Sequence, residues 1–222
     1  MLSQDKKHVI AKRIAEELEH GQIVNLGVGI PTLVTSYLGD KEIYLQTENG
    51  LLGMGPHPTE ENVDIDLINA GKEPVTYLKG ASFFNSADSF ALIRGGHVDV
   101  AVLGTLQVDI HGEIANWAVP NQPILGVGGA MDLVTGAKKV IAAATLFAKD
   151  GSSKLVQELS YKLSGIRRVE LFVSDYAVFK FTDTGVKVVE MIEDISIEEL
   201  SEKVGFQLEY LKDLSKLINS EG

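Results

Sequence analysis

Cysteine is missing from all 222 residues, which removes disulfides, thiolate nucleophiles and cysteine-ligated metals together. That absence suits the cytoplasm, the compartment expected for this chain. Cations are also scarce: 20 Lys and Arg stand against 31 Asp and Glu, for a net charge of −11. So acidic a chain is a poor partner for a nucleic-acid backbone. No unbroken apolar run is long enough for a membrane helix, and Met1–Lys7 lacks the basic-then-apolar order of a secretory signal. The histidines His8, His20, His57, His97 and His111 form no H-x-x-x-H pair, so no metal site is expected. There is no G-x-S-x-G elbow and no G-x-x-x-x-G-K-[ST] loop, which disfavours a Ser-His-Asp hydrolase and a P-loop nucleotidase. Gly27-Val28-Gly29 follows a strand pattern, but Thr32 stands where a dinucleotide-binding loop needs its third glycine.

What is present is an alternation of strand and helix patterns with hydrophobic content of 45%, enough for a sizeable core. The fold class expected is α/β, a single domain over residues 1–222. Ile10, Ile14 and Leu18 fall four apart and predict an amphipathic helix within Ser3–His20. Further helices are expected at Thr32–Leu38 behind Pro31, Ser86–Arg94, Ile197–Val204 and Phe206–Leu217, with Ser196 and Glu199 forming a capping box. Strands are expected at Ile23–Leu26, Glu42–Glu48, Asp64–Ile68, Val75–Leu78, Val98–Leu103, Ile114–Ala118, Val140–Ala143, Val169–Ser174, Val178–Phe181 and Val186–Ile192. Acidic residues crowd the end of the chain, so about 193–222 reads as an acidic helical surface extension.

The most informative stretch is the strand ending Leu45-Gln46-Thr47-Glu48, followed by Asn49-Gly50. Asn and Gly accept a sharp turn, which leaves Glu48 at the carboxyl end of a strand, where open α/β sheets bind their ligands. Most loop glutamates are merely solvated. Here three glycines and a proline follow within eight residues, interleaved with Leu and Met, more apolar side chain than a solvated loop needs. Gly126-Val127-Gly128-Gly129 feeds the helical pattern Ala130–Val134, and Asn69-Ala70-Gly71-Lys72 closes another strand pattern with a cation. Each glycine run alone is more often a tight turn. Together with Glu48 they supply a carboxylate, bare backbone amides and a positive charge, the parts for covalent attack on an ester or thioester.

The string from Leu45 to Pro56 resembles the active-site motif of family I coenzyme A transferases, in particular the β subunits of the acetate, butyrate–acetoacetate and succinyl-CoA:3-oxoacid types. Asn25–Pro31, Leu67–Lys72, Leu92–Val98, Ala115-Asn116-Trp117 with Pro120, and Gly126–Val134 are similar to family strings in the same order, covering roughly residues 8 to 145. Thr47 departs from the usual serine, and Glu158-Leu159-Ser160-Tyr161 departs from the family string, which leaves acyl specificity open.

The resemblance implies a compact α/β sandwich related to sugar-phosphate isomerases, with Glu48 as nucleophile. It implies an oxyanion-stabilising loop at Gly129 and Ala130. It also implies contacts to coenzyme A or to the glutamate from Asn25, Gly27, Gly29, Asn49, Gly50, Lys72, Gly126 and Gly128. Coenzyme A would be a co-substrate, with no permanently bound cofactor. The partner would be an α subunit, in an α2β2 heterotetramer or larger assembly. Two other readings stand beside it: an isomerase using Glu48 as general base, and a non-catalytic scaffold subunit.

Overall fold

The computed structural model describes residues 3–119, 126 and 128–211. In chain order the elements are α1 (Ser3–Glu16), β1 (Ile23–Leu26), a 3-10 helix (Pro31–Tyr37), β2 (Tyr44–Thr47), β3 (Leu51–Met54), β4 (Tyr77–Phe83) and α2 (Ser86–Arg94). They continue as β5 (Val100–Gly104), β6 (Gln107–Asp109), β7 (Ile114–Ala115), α3 (Ala130–Gly136), β8 (Lys139–Ala143), β9 (Leu155–Val156), β10 (Leu171–Val173), β11 (Ala177–Thr182), β12 (Gly185–Met191) and α4 (Ile197–Val204). Among the described residues, nine strands form one sheet in the order β12-β11-β10-β8-β5-β1-β2-β3-β4. The central run from β10 to β2 is parallel, with antiparallel pairs at both ends. β7, β6 and β9 form a second sheet.

Period-two alternation divides the core into two layers, one on each face of the large sheet. Val100, Val102, Ile141 and Ala143 join Ile10, Ile14 and Leu18 of and just after α1 on one face. Ala101, Leu103, Val140 and Ala142 join Ile93 of α2, Leu133 of α3 and Leu200 of α4 on the other. Each large side chain buried this way contributes about 1.5–3 kcal/mol. Helices on both faces of a largely parallel sheet make the α/β class expected from the sequence.

Several elements differ from expectation for local reasons. Asp64–Ile68 is a run of turns, not a strand: Asp64 accepts the N–H of Asp66 on its side chain and that of Leu67 on its carbonyl. Short acidic side chains offer the backbone this alternative to a ladder. Leu51–Met54, read from its glycines as a continuing break, is a strand that hairpins back onto β2. The extended run expected at Val75–Leu78 instead begins at Tyr77 and reaches Phe83. The segment after Pro31 is 3-10, and α1 stops at Glu16.

The C-terminal segment is not the surface extension expected. The Ser196 hydroxyl caps α4 by accepting the N–H of Glu199, and the apolar face of α4 buries Leu200 and Val204 in the core. Residues 206–211 are not helical; Leu208 is buried and Tyr210 bridges to Val188 of β12. The rest of the helix expected at Phe206–Leu217 lies outside the described residues, as do Pro120 and Val127.

Gly50 is where the β2–β3 hairpin requires glycine. Its φ is +121°, and a Cβ there would drive into the carbonyl oxygen of Phe84, whose own N–H bonds to the Gly50 carbonyl. Gly50→Ala is expected to destabilise the fold by about 1–3 kcal/mol from backbone conformation alone. An unchanged urea midpoint would show that the hairpin tolerates a side chain.

Candidate active site

The parallel strands β1, β2 and β5 lie side by side, so their carboxyl ends open on one edge of the sheet. After β1 the chain moves to one side, to β2, and later returns to the other, to β5. That reversal leaves the crevice in which open α/β sheets bind ligands. A cavity of about 760 Å³ occupies it, walled by Asn25, Gly27, Glu48, Gly104, Asn116 and Gly129 among others. Gly27 lets the two strand ends close up: its N–H donates to the Val102 carbonyl at 2.8 Å, and a Cβ would sit 3.1 Å from that oxygen.

Glu48 begins the hairpin turn after β2 and is half-buried on the cavity wall. Asn25 lies opposite Gln46 in the β1–β2 register, and from there its Nδ2 donates to Glu48 Oε2 at 3.2 Å. Gly129 closes the other side. Its φ of −84° suits any residue, so the backbone does not demand glycine. Glu48 does: a Cβ on Gly129 would lie 3.1 Å from the glutamate Cγ and 3.4 Å from Cδ and Oε1.

Of the candidates from the sequence, Glu48, Asn25, Gly27, Gly126, Gly128, Gly129 and Ala130 all line this cavity. Gly29, Asn49, Gly50 and Lys72 are not on its wall. Gly29 has φ +94° and its carbonyl accepts the Thr32 hydroxyl at the entry to the 3-10 helix. Asn49 ties the hairpin to the Asp64–Lys72 loop by donating to the Ile68 carbonyl at 2.7 Å, and it also accepts the Thr47 hydroxyl. Asn69 and Gly71 reach the wall while Lys72, at φ +64°, does not. The wall therefore carries two carboxylates, Glu48 and Glu73, and no lysine or arginine among the described residues.

Two buried polar residues, Gln46 and Ser89, escaped the sequence reading. Both occupy positions that the periodicity assigns to the core, and a polar residue at a core position was the available signal. No described helix is long and apolar enough to cross a membrane.

Residues 7–203 match the model of the family described as coenzyme A transferase, and the chain belongs to that family. It is similar to a β subunit of succinyl-CoA:3-ketoacid coenzyme A transferase from Helicobacter pylori, 50% identical over 203 residues, which are 91% of this chain and 98% of that one. It is also similar to the β subunit of acetate CoA-transferase from Escherichia coli K12, 46% identical over 212 residues, 95% and 97% of the two chains. Among solved structures, an acyl-CoA transferase apoenzyme from Escherichia coli O157:H7 superposes with TM-score 0.73 at 22% identity, over 96% of this chain and 44% of that one. The decarboxylase AibA/AibB shares the fold at TM-score 0.69 and 18% identity, over 93% and 86%. Since that fold also carries a decarboxylase, the reaction has to be argued from the site.

Proposed function

We propose that this chain is the β subunit of an enzyme that moves coenzyme A between a short-chain or 3-oxo acyl-CoA and a carboxylic acid, with Glu48 as the covalent carrier. The observation that carries this reading is the carboxylate itself: Glu48 faces the cavity with one oxygen held by Asn25 and its stem against a glycine. Its oxygen attacks the thioester carbonyl carbon, the C–S bond breaks, and the CoA thiolate leaves behind an acyl-glutamyl anhydride. The thiolate then attacks the glutamyl carbonyl, releasing the donor acid and forming a glutamyl-CoA thioester. The acceptor carboxylate attacks that thioester, and the returning thiolate takes the new acyl group and frees Glu48. Four easy exchanges replace one hard one, and no redox partner or proton donor is consumed. Coenzyme A is a co-substrate here, and the amides at Gly129 and Ala130 would face the oxyanion of each addition.

A sugar-phosphate isomerase would need cations to grip its phosphate, and the wall offers no lysine or arginine among the described residues. A scaffold subunit would have no use for a carboxylate held in this way.

The test is chemical trapping. Exposure to acyl-CoA with the partner subunit, followed by hydroxylamine or borohydride, should mark Glu48 alone in a peptide map. A marked residue elsewhere, or none, would reject the covalent mechanism.

The glycine loop supplies a further expectation. Gly129→Val should lower kcat about a hundredfold or more while raising KM far less, because the side chain meets Glu48 and displaces an amide aimed at developing charge. A rise in KM alone would make the loop a binding turn.

A further inference from the structure

Behind Glu48, away from the cavity's open side, lies a polar relay inside an otherwise apolar layer. Asn25 is 1% exposed and Gln46 3%, and Ser89 of α2 is fully buried over them. Asn25 Nδ2 donates to Gln46 Oε1 at 2.7 Å and to the Gln46 carbonyl at 3.1 Å, besides Glu48 Oε2. Gln46 Nε2 donates in turn to Ser89 Oγ at 2.9 Å and to the Thr47 carbonyl at 3.1 Å. Asn25 Oδ1 is buried without a partner.

That orphan oxygen identifies what the relay is for. An unpaired buried acceptor is costly, and three apolar residues would fill this layer without it. Rotating the Asn25 amide would turn its oxygen onto three acceptors, including the carboxylate of Glu48. The arrangement thus leaves one atom of Asn25 unsatisfied and keeps its N–H on the glutamate. Gln46 holds that orientation through Oε1, and Ser89 with the Thr47 carbonyl hold Gln46 in its own.

We infer that Gln46, seated by Ser89, is a positioning residue that acts through Asn25 to aim the Glu48 carboxylate. The inference rests on the role proposed for Glu48. Attack on a thioester needs the carboxylate oxygen in line with the carbonyl carbon, and small misplacements of a nucleophile are expensive.

The experiment is a double-substitution cycle in the assembled enzyme. Gln46→Met keeps the length of the side chain and removes the acceptor that Asn25 needs. It should lower kcat about ten- to a hundredfold with KM for acyl-CoA little changed. It should also slow formation of the trapped Glu48 adduct without reducing its final yield. Ser89→Ala should lower kcat by less, Ser89→Thr should restore it, and Ser89→Ala should add nothing in the Gln46→Met background. Thermal unfolding of each variant separates loss of fold from loss of aim. A folded Gln46→Met enzyme with wild-type kcat, or full additivity of the two substitutions, would overturn the inference. Glu48→Ala runs as a reference: if it stays active, the nucleophile assignment itself fails, whatever Gln46 does.

Discussion

Glu48→Ala and Glu48→Gln should each reduce CoA transfer by about 10⁴-fold or more, as loss of an attacking nucleophile does elsewhere. The carboxylate is the atom group to which the acyl chain and then coenzyme A are bound, so no neighbour can take its place. An amide is far too weak a nucleophile at carbonyl carbon to stand in for it. Glutamine has the same shape, so the fold should survive: the side chain is half-buried and accepts from Asn25 at 3.2 Å. The discriminating measurement is kcat of each variant paired with its partner, beside thermal unfolding of the same preparations. Near-wild-type turnover in folded Glu48→Ala would sink the mechanism. A general-base role would be exposed differently, by a surviving fraction of rate in Glu48→Asp and by no trapped adduct in any variant.

The second large effect concerns partnership. The chain by itself is expected to fold and yet transfer almost no coenzyme A, with activity appearing when a separate α chain of similar size is added. The cavity has Glu48 on its wall and no lysine or arginine beside it among the described residues, while the whole chain carries a charge of −11. The phosphates of coenzyme A need cations that this wall does not supply. An anhydride intermediate also needs protection from water, which a second domain seated on the open edge would give. The likeness to a solved acyl-CoA transferase chain of which this one spans 44% supports a second unit of comparable size. Activity of the purified chain, measured against the reconstituted pair with masses from light scattering, decides the matter. Full turnover by the chain alone would overturn the reading of it as half an enzyme and leave the role of Glu48 standing.

Much of the architecture was legible wherever one element carries its own signal. The bounds of β1, α2 and α4 follow from apolar spacing and caps: Asn85 accepts the N–H of Asp88 at the start of α2, and Ser196 that of Glu199 at the start of α4. Where glycine both breaks and permits structure, the sequence misled. Gly53 sits in β3 at φ +89° with Ala81 packed against it, so a residue that reads as a breaker is a point of close strand approach. The short strands β6 and β9 pair with each other, so neither carries a periodic signal long enough to recognise.

By itself the sequence determined the class, the nucleophile and its motif. A carboxylate before Asn-Gly and an ordered set of glycine strings are local patterns, written in consecutive residues. Only the tertiary structure decided which of those strings meet. It brought Gly129 against the stem of Glu48 and left Gly29 and Lys72 off the wall, although each looked equally suited. It also joined Asn25 to Gln46 and Gln46 to Ser89, pairs 21 and 43 residues apart along the chain. Periodicity assigns a side chain to a face of its own strand or helix, with period 2 or 3.6. Which face of which neighbour it then meets depends on strand order and register, and those are fixed by the packing of the whole sheet.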